Sequence, residues 1–170
     1  NCSQPYPGRF YGFTCATFAA PTDQPLFDDT EEFVARTTEM LRDHVARGAR
    51  GLKILKELGL QYRDAKGHLI NVDDESLSPV WECCADLGVP VLIHQSDPFG
   101  FFKPVTPDNE HYESLVKYPS WSFVDAKFPS KEELLERRDR LVRRHPNVTF
   151  LLPHVANFAE NLGYVSSLLD

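Results

Sequence analysis

The chain has no apolar run approaching the ~18 residues that would cross a bilayer. It has no basic stripe for nucleic acid either: 18 Lys and Arg stand against 25 Asp and Glu, giving a formal charge of -7 and a pI near 5.3. The densest basic cluster, Arg137, Arg138, Arg140, Arg143 and Arg144, is interleaved with Glu132, Glu133, Glu136 and Asp139 and reads as a solvated helix face. Cysteine is sparse. Cys2, Cys15, Cys83 and Cys84 show no CxxC spacing for zinc and are too few for a disulfide scaffold, so a reduced, cytoplasmic setting is expected. There is no phosphate loop, no dinucleotide fingerprint and no nucleophile motif. The chain opens on Asn1, without an initiating Met or a charged-then-apolar leader, and closes on a helical pattern, VSSLLD. It reads as a piece of a longer protein.

What remains is an ordinary globular composition, 42% hydrophobic and 25% charged, at 170 residues suited to one domain. RFYGFTCATF (9–18) reads as a strand, and a loop with Pro21, Asp23 and Pro25 follows. Thr30 is placed to cap a helix carrying Phe33, Val34, Met40, Leu41 and Val45, and Gly48 ends it. GLKILKEL begins a short strand at about Gly51. A helix is expected over about 74–87, with Gly88 as its stop, and VPVLIH (89–94) is the next strand. Ser130 caps a charged helix, SKEELLERRDRLVRRH, with Glu133 at the capping-box position. VTFLLPH (148–154) is a further strand, and a helix begins at about Glu160.

Strands alternating with helices argue for a parallel sheet in an α/β protein. The stretch 95–129 breaks the rhythm. It is far longer than the usual ~2–6 residue connection, and such loops are commonly lids or binding loops. It leaves the C-terminal end of a strand, where ligands gather in this architecture.

Those ends carry the candidate chemistry. VPVLIH closes on His94 and VTFLLPH on His154. At equivalent ends of neighbouring parallel strands, two imidazoles would lie on the order of 5 Å apart in backbone terms. Neutral imidazole is both a transition-metal ligand and a general base near neutral pH. Alternation along GLKILK sets Leu52 and Ile54 on one face and Lys53 on the other. A lysine there is paired, deprotonated or modified, unless the strand ends early and the amine reaches solvent. Asp97 can coordinate or orient, although Asp before Pro is also a turn signal. Phe99, with Phe101 and Phe102, offers apolar walls, and His111 can contact substrate from the loop. Trp121 and Phe123 read as loop anchors, and His44, His68 and His145 as surface residues.

GARGLKILKELGL, PVWECCADLGVPVLIHQSDP, NEHYESL, PSWSF, FPS and RRHPNVTFLLPHVAN resemble the amidohydrolase-related metal-dependent hydrolases, in the branch that also holds decarboxylases of aromatic acids. The resemblance implies a (β/α)8 TIM barrel, of which residues 1–170 are one partial domain, about the third to sixth β/α units. It implies a divalent metal, most often zinc, with His94 as a ligand. His154 would be a second-metal ligand, or the residue that activates water or contacts substrate. Lys53 would stand where binuclear relatives carry a carbamylated lysine. The family's His-x-His pair and its catalytic Asp belong to strands this chain does not contain, so the chain alone would hold an incomplete, inactive site. Two functions follow as expectations: hydrolysis of a small-molecule amide, ester or lactone, or nonoxidative decarboxylation of an aromatic or unsaturated acid. A third, non-catalytic reading is a barrel fragment with structural histidines. The expected partner is a small-molecule substrate, not nucleic acid or membrane, and a homo-oligomer is compatible with the sequence.

Overall fold

Helix α1, Thr30–Ala46, forms because Phe33, Thr37 and Leu41 recur at helical spacing and bury one face. Its cap is Asp29, one residue earlier than expected, whose carboxylate accepts the Glu32 N–H at 2.9 Å. Gly48 ends it with φ +105°, a conformation only glycine takes freely. The structure, a computed structural model, describes residues 8–19, 27 and 29–168. Cys2 and the loop containing Pro21, Asp23 and Pro25 lie outside the described residues.

Among the described residues, three short parallel strands form a sheet, in the order β1 (Leu52–Ile54), β2 (Val91–Ile93), β3 (Phe150–Leu151). Leu52, Lys53 and Ile54 register with Val91, Leu92 and Ile93, and Val91 and Leu92 with Phe150 and Leu151. The strand expected at 9–18 is reduced to an edge contact. Residues 12–14 run beside β1 through Arg50 N–H to Gly12 O, Thr14 N–H to Gly51 O and Lys53 N–H to Thr14 O. The chain then turns left-handed at Ala16 (φ 45°) into a 3-10 turn, Ala16–Ala19, which ends the pairing.

Helix α2, Ser78–Asp86, follows a 3-10 turn at Glu75–Leu77, so the single helix expected over 74–87 is two segments joined just before Pro79. Val80, Trp81 and Cys84 of α2 pack with Phe18, Phe33, Leu52, Ile54, Val91 and Ile93 in the main core. Cys15, Cys83 and Cys84 are free thiols.

The 95–129 segment has a core of its own. Within it are a 3-10 turn, Phe99–Phe102, helix α3, Tyr112–Lys117, and a second 3-10 turn, Pro119–Trp121. Phe101, Leu115 and Phe123 bury against Leu60 and Leu134. Trp121 stays 41% exposed and stacks on Phe101, so Phe123 is the deeper anchor. Asn109 ties the loop together, its amide donating to the carbonyls of Gly100 (2.8 Å) and Pro104 (3.0 Å).

Helix α4, Lys131–Arg144, carries the expected capping box between Ser130 and Glu133. Its arginines are only in part the solvated face expected: Arg140, Arg143 and Arg144 are exposed and Arg137 is half-buried. Arg138 is fully buried, and Arg137 and Arg140 pair with Asp73 at 3.8 and 2.9 Å. His145 is likewise buried, its Nε2 3.3 Å from Ser78 Oγ, and His44 is half-buried against Thr14 Oγ1 at 2.6 Å; neither is the surface residue its position suggests. His68 is exposed beside Asp64.

Strand β3 ends at Leu151 because Pro153, lacking an N–H, cannot continue a ladder. His154 therefore lies past the strand, in a short turn α5, Pro153–Asn157, and helix α6, Leu162–Ser167, follows. Among the described residues, no helix is long and apolar enough to cross a membrane.

Candidate metal centre

His94 directly follows β2, and its backbone N–H extends the ladder to Ile54 O at 3.1 Å. The chain then reverses through Ser96, a buried residue with φ 55°, which brings Asp97 back beneath the imidazole. Nε2 of His94 lies 3.1 Å from the Asp97 carbonyl oxygen. A carbonyl only accepts, so Nε2 carries the proton and Nδ1 keeps its lone pair. Burial, then the positive charge of Lys53, then the neighbouring His154, push the His94 pKa down. His94 is thus neutral near pH 7, the form a metal requires.

His154 reaches the same place from the turn beyond β3. Its ring centroid is 5.0 Å from that of His94, and its Nδ1 is 4.0 Å from Asp97 Oδ2. One ligand atom from each of His94, Asp97 and His154 lies within 4.8 Å of the others. Two imidazoles and a carboxylate, with His94 fixed in one tautomer by a backbone carbonyl, are a donor set that fits a divalent transition metal.

Lys53 sits on the face of β1 opposite the buried Leu52 and Ile54, as alternation requires, and is half-buried. Burial lowers its pKa, while Cys15 and Glu57 oppose the shift. Lys56, two residues past the strand, is also lowered by burial against the pull of Glu57 and Asp97. Its Nζ lies 4.5 Å over the Phe101 ring and 5.8 Å over those of Trp121 and Phe123. Glu57, which sequence reasoning passed over, belongs to this group and has a buried Oε2 without a hydrogen-bond partner. The available signal was its spacing, four residues after Lys53 at the same strand end.

Phe99 and His111 lie in the long loop, away from the three-residue cluster. Phe99 helps to line a hollow of about 310 Å³ with Phe102, Phe123, Phe128 and Lys131, and Lys103 Nζ (4.1 Å) and Lys131 Nζ (4.9 Å) both lie near its ring centroid. His111 packs edge-on against Phe101 at 5.2 Å.

Residues 4–168 match the sequence profile of the amidohydrolases. No curated protein and no solved structure matches the chain. With nearly its whole length covered by that profile, the chain belongs to the amidohydrolase family, a family of metal-dependent hydrolases.

Proposed function

We propose, from that membership, that the protein is a metal-dependent hydrolase of a small-molecule amide, ester or lactone, built on the (β/α)8 barrel of its family. The observation that carries the reading is the meeting of His94, Asp97 and His154 at the C-terminal ends of adjacent parallel strands. These residues would hold the ion, zinc being the best match to two imidazoles and a carboxylate. When bound, a divalent ion supplies Lewis acidity, polarising a carbonyl and acidifying water toward a pKa of about 7.

The chain's own groups do the rest. The Asp97 carbonyl holds the His94 ring in one tautomer. His154, 53% exposed at its side chain, either completes the ligand set or, where it stays off the ion, is open enough to take or return a proton at the reacting centre. Lys53, its ammonium disfavoured by burial, is placed to share that proton traffic or to be modified. The loop that begins at Gln95 brings Asp97 to the site, and in this reading Phe99 and His111 would meet only a part of the substrate that reaches away from the ion.

The charges of Lys53 and Lys56 beside the site favour a second reading, in which the bound group is a carboxylate and the reaction is its nonoxidative loss. One experiment separates the readings. Metal content is measured in the purified protein and in His94→Ala, and amide, ester, lactone and aromatic-acid panels are assayed with and without chelator. Chelator-sensitive hydrolysis supports the first reading and carbon dioxide release the second. Because residues 1–170 are expected to hold only part of the family's site, the assays use the full-length protein, and finding that protein, unsubstituted, without metal or activity would sink both.

A further inference from the structure

We propose that Arg138 is the positioning residue that holds His154 at the site; the inference rests on reading His94, Asp97 and His154 as a metal centre. His154, Val155, Ala156 and Asn157 have φ of 54°, 54°, 56° and 59°. Four successive residues without a glycine are left-handed, where L-residues are normally found singly. Val155 is β-branched, the worst case. His154 and Asn157 at the ends of the run are residue types that tolerate this region, but Val155 and Ala156 between them are not, so the run needs support from outside it.

Arg138 supplies that support. It lies on α4, its side chain has no exposure, and all five of its N–H groups are engaged. Nη1 donates to the Ala156 carbonyl at 2.5 Å and to Asn157 Oδ1 at 3.5 Å, holding two of the four left-handed residues. Nε and Nη2 donate to Asp139 Oδ1 at 3.0 and 2.8 Å, and Nη2 also to Tyr164 Oη at 2.7 Å. Tyr164 in turn donates to Asp139 Oδ2 at 2.6 Å. The guanidinium is thus fixed by α4 and α6 on one side and grips the turn on the other. A left-handed turn aims its carbonyls where a right-handed one would not, and the charged fork gives the Ala156 carbonyl a partner in the interior. If the turn relaxed, His154 Nδ1 would leave its place 4.0 Å from Asp97 Oδ2. Arg138 touches no reacting atom and acts through the backbone that bears His154.

The test is a Co²⁺ titration of the purified protein, followed by the visible absorption of the bound ion, alongside thermal unfolding of each variant. Arg138→Gln is expected to weaken Co²⁺ binding about 10–100-fold, the usual effect of losing support behind a ligand. Arg138→Lys is expected to rescue little, since an ammonium cannot reproduce the fork. Leu41→Ala, a cavity in the main core remote from the turn, should lower the melting temperature and leave the Co²⁺ affinity of the folded protein unchanged. Adding Val155→Gly to Arg138→Gln should recover most of the affinity by removing the steric penalty of the turn. If Arg138→Gln does not fold, Tyr164→Phe decides, with a loss of about 3–10-fold expected for one removed support. Folded Arg138→Gln, or Tyr164→Phe in its place, binding Co²⁺ as tightly as the unsubstituted protein would overturn the proposal while a loss in His94→Ala left the metal centre standing. Equal binding by His94→Ala and the unsubstituted protein would overturn both.

Discussion

The imidazoles of His94 and His154 face one another at 5.0 Å although neither lies within a strand. His94 follows β2 directly, while His154 is carried back toward it by a left-handed turn. Asp97 completes the group twice over, with its carbonyl on His94 and its carboxylate toward His154.

These two contacts of Asp97 can be separated. Asp97→Asn keeps the backbone carbonyl that orients His94 and removes only the carboxylate charge. If the carboxylate is a ligand, divalent-metal affinity should fall at least about tenfold, with the melting temperature of the metal-free protein little changed. Isothermal titration with Zn²⁺ checks this. An unaltered affinity would leave Asp97 with the orienting role alone.

His94 was legible because an apolar strand ending on a histidine is a local pattern, and the α4 capping box because it needs only residues 130 and 133. The place of His154 was legible, but its backbone was not: of the residues after it in the run, Asn157 alone tolerates a left-handed conformation, and Val155 and Ala156 give no sign of one. Arg138 and His145 were misread for a related reason. A charged or polar residue on an amphipathic pattern looks solvated until its partners are known, and those of Arg138 come from α4, α6 and the α5 turn together. The strand expected at 9–18 has the right composition, but composition does not register the turn at Ala16.

Lys56 joins the loop to the sheet. Its ammonium lies over Phe101, Trp121 and Phe123, the aromatic residues that give the loop its own core. Lys56→Met keeps much of the bulk and removes the charge, so the loss is the cation–π attraction, about 0.5–2 kcal/mol at a partly buried site. Amide hydrogen exchange across residues 99–123 should quicken by about 2–30-fold, the same energy expressed as an opening equilibrium. Unchanged exchange would show that the apolar contacts alone close the loop.

Stability should fall with acid through His145. Burial lowers its pKa, with Arg144 adding to the shift and Glu82 opposing it. A base with a depressed folded pKa binds fewer protons in the native than in the unfolded state. Its contribution is therefore complete above the unfolded value of about 6.5 and is lost as the pH drops through the folded one. The urea midpoint should be lower at pH 5 than at pH 7.5, and the difference should shrink in His145→Gln. Carboxylates titrating in the same range affect both proteins alike, so an equal drop in the two would remove His145 as a cause.

The strain in the α5 turn has its own signature. Val155 holds φ 54° and is 51% exposed as a residue, so replacing it with glycine sacrifices little packing. A left-handed L-residue costs roughly 1–2 kcal/mol, and the extra backbone freedom of glycine in the unfolded chain returns about 0.5–1 of that. Val155→Gly should therefore stabilise the protein by about 0–1.5 kcal/mol, raising the melting temperature by roughly 2–4 °C for each kcal/mol gained in a chain of this size. Most surface substitutions destabilise or do nothing, so a rise is diagnostic. A fall in melting temperature, measured by circular dichroism, would mean that Val155 is not left-handed in solution. The clamp assigned to Arg138 would then have no strained turn to hold.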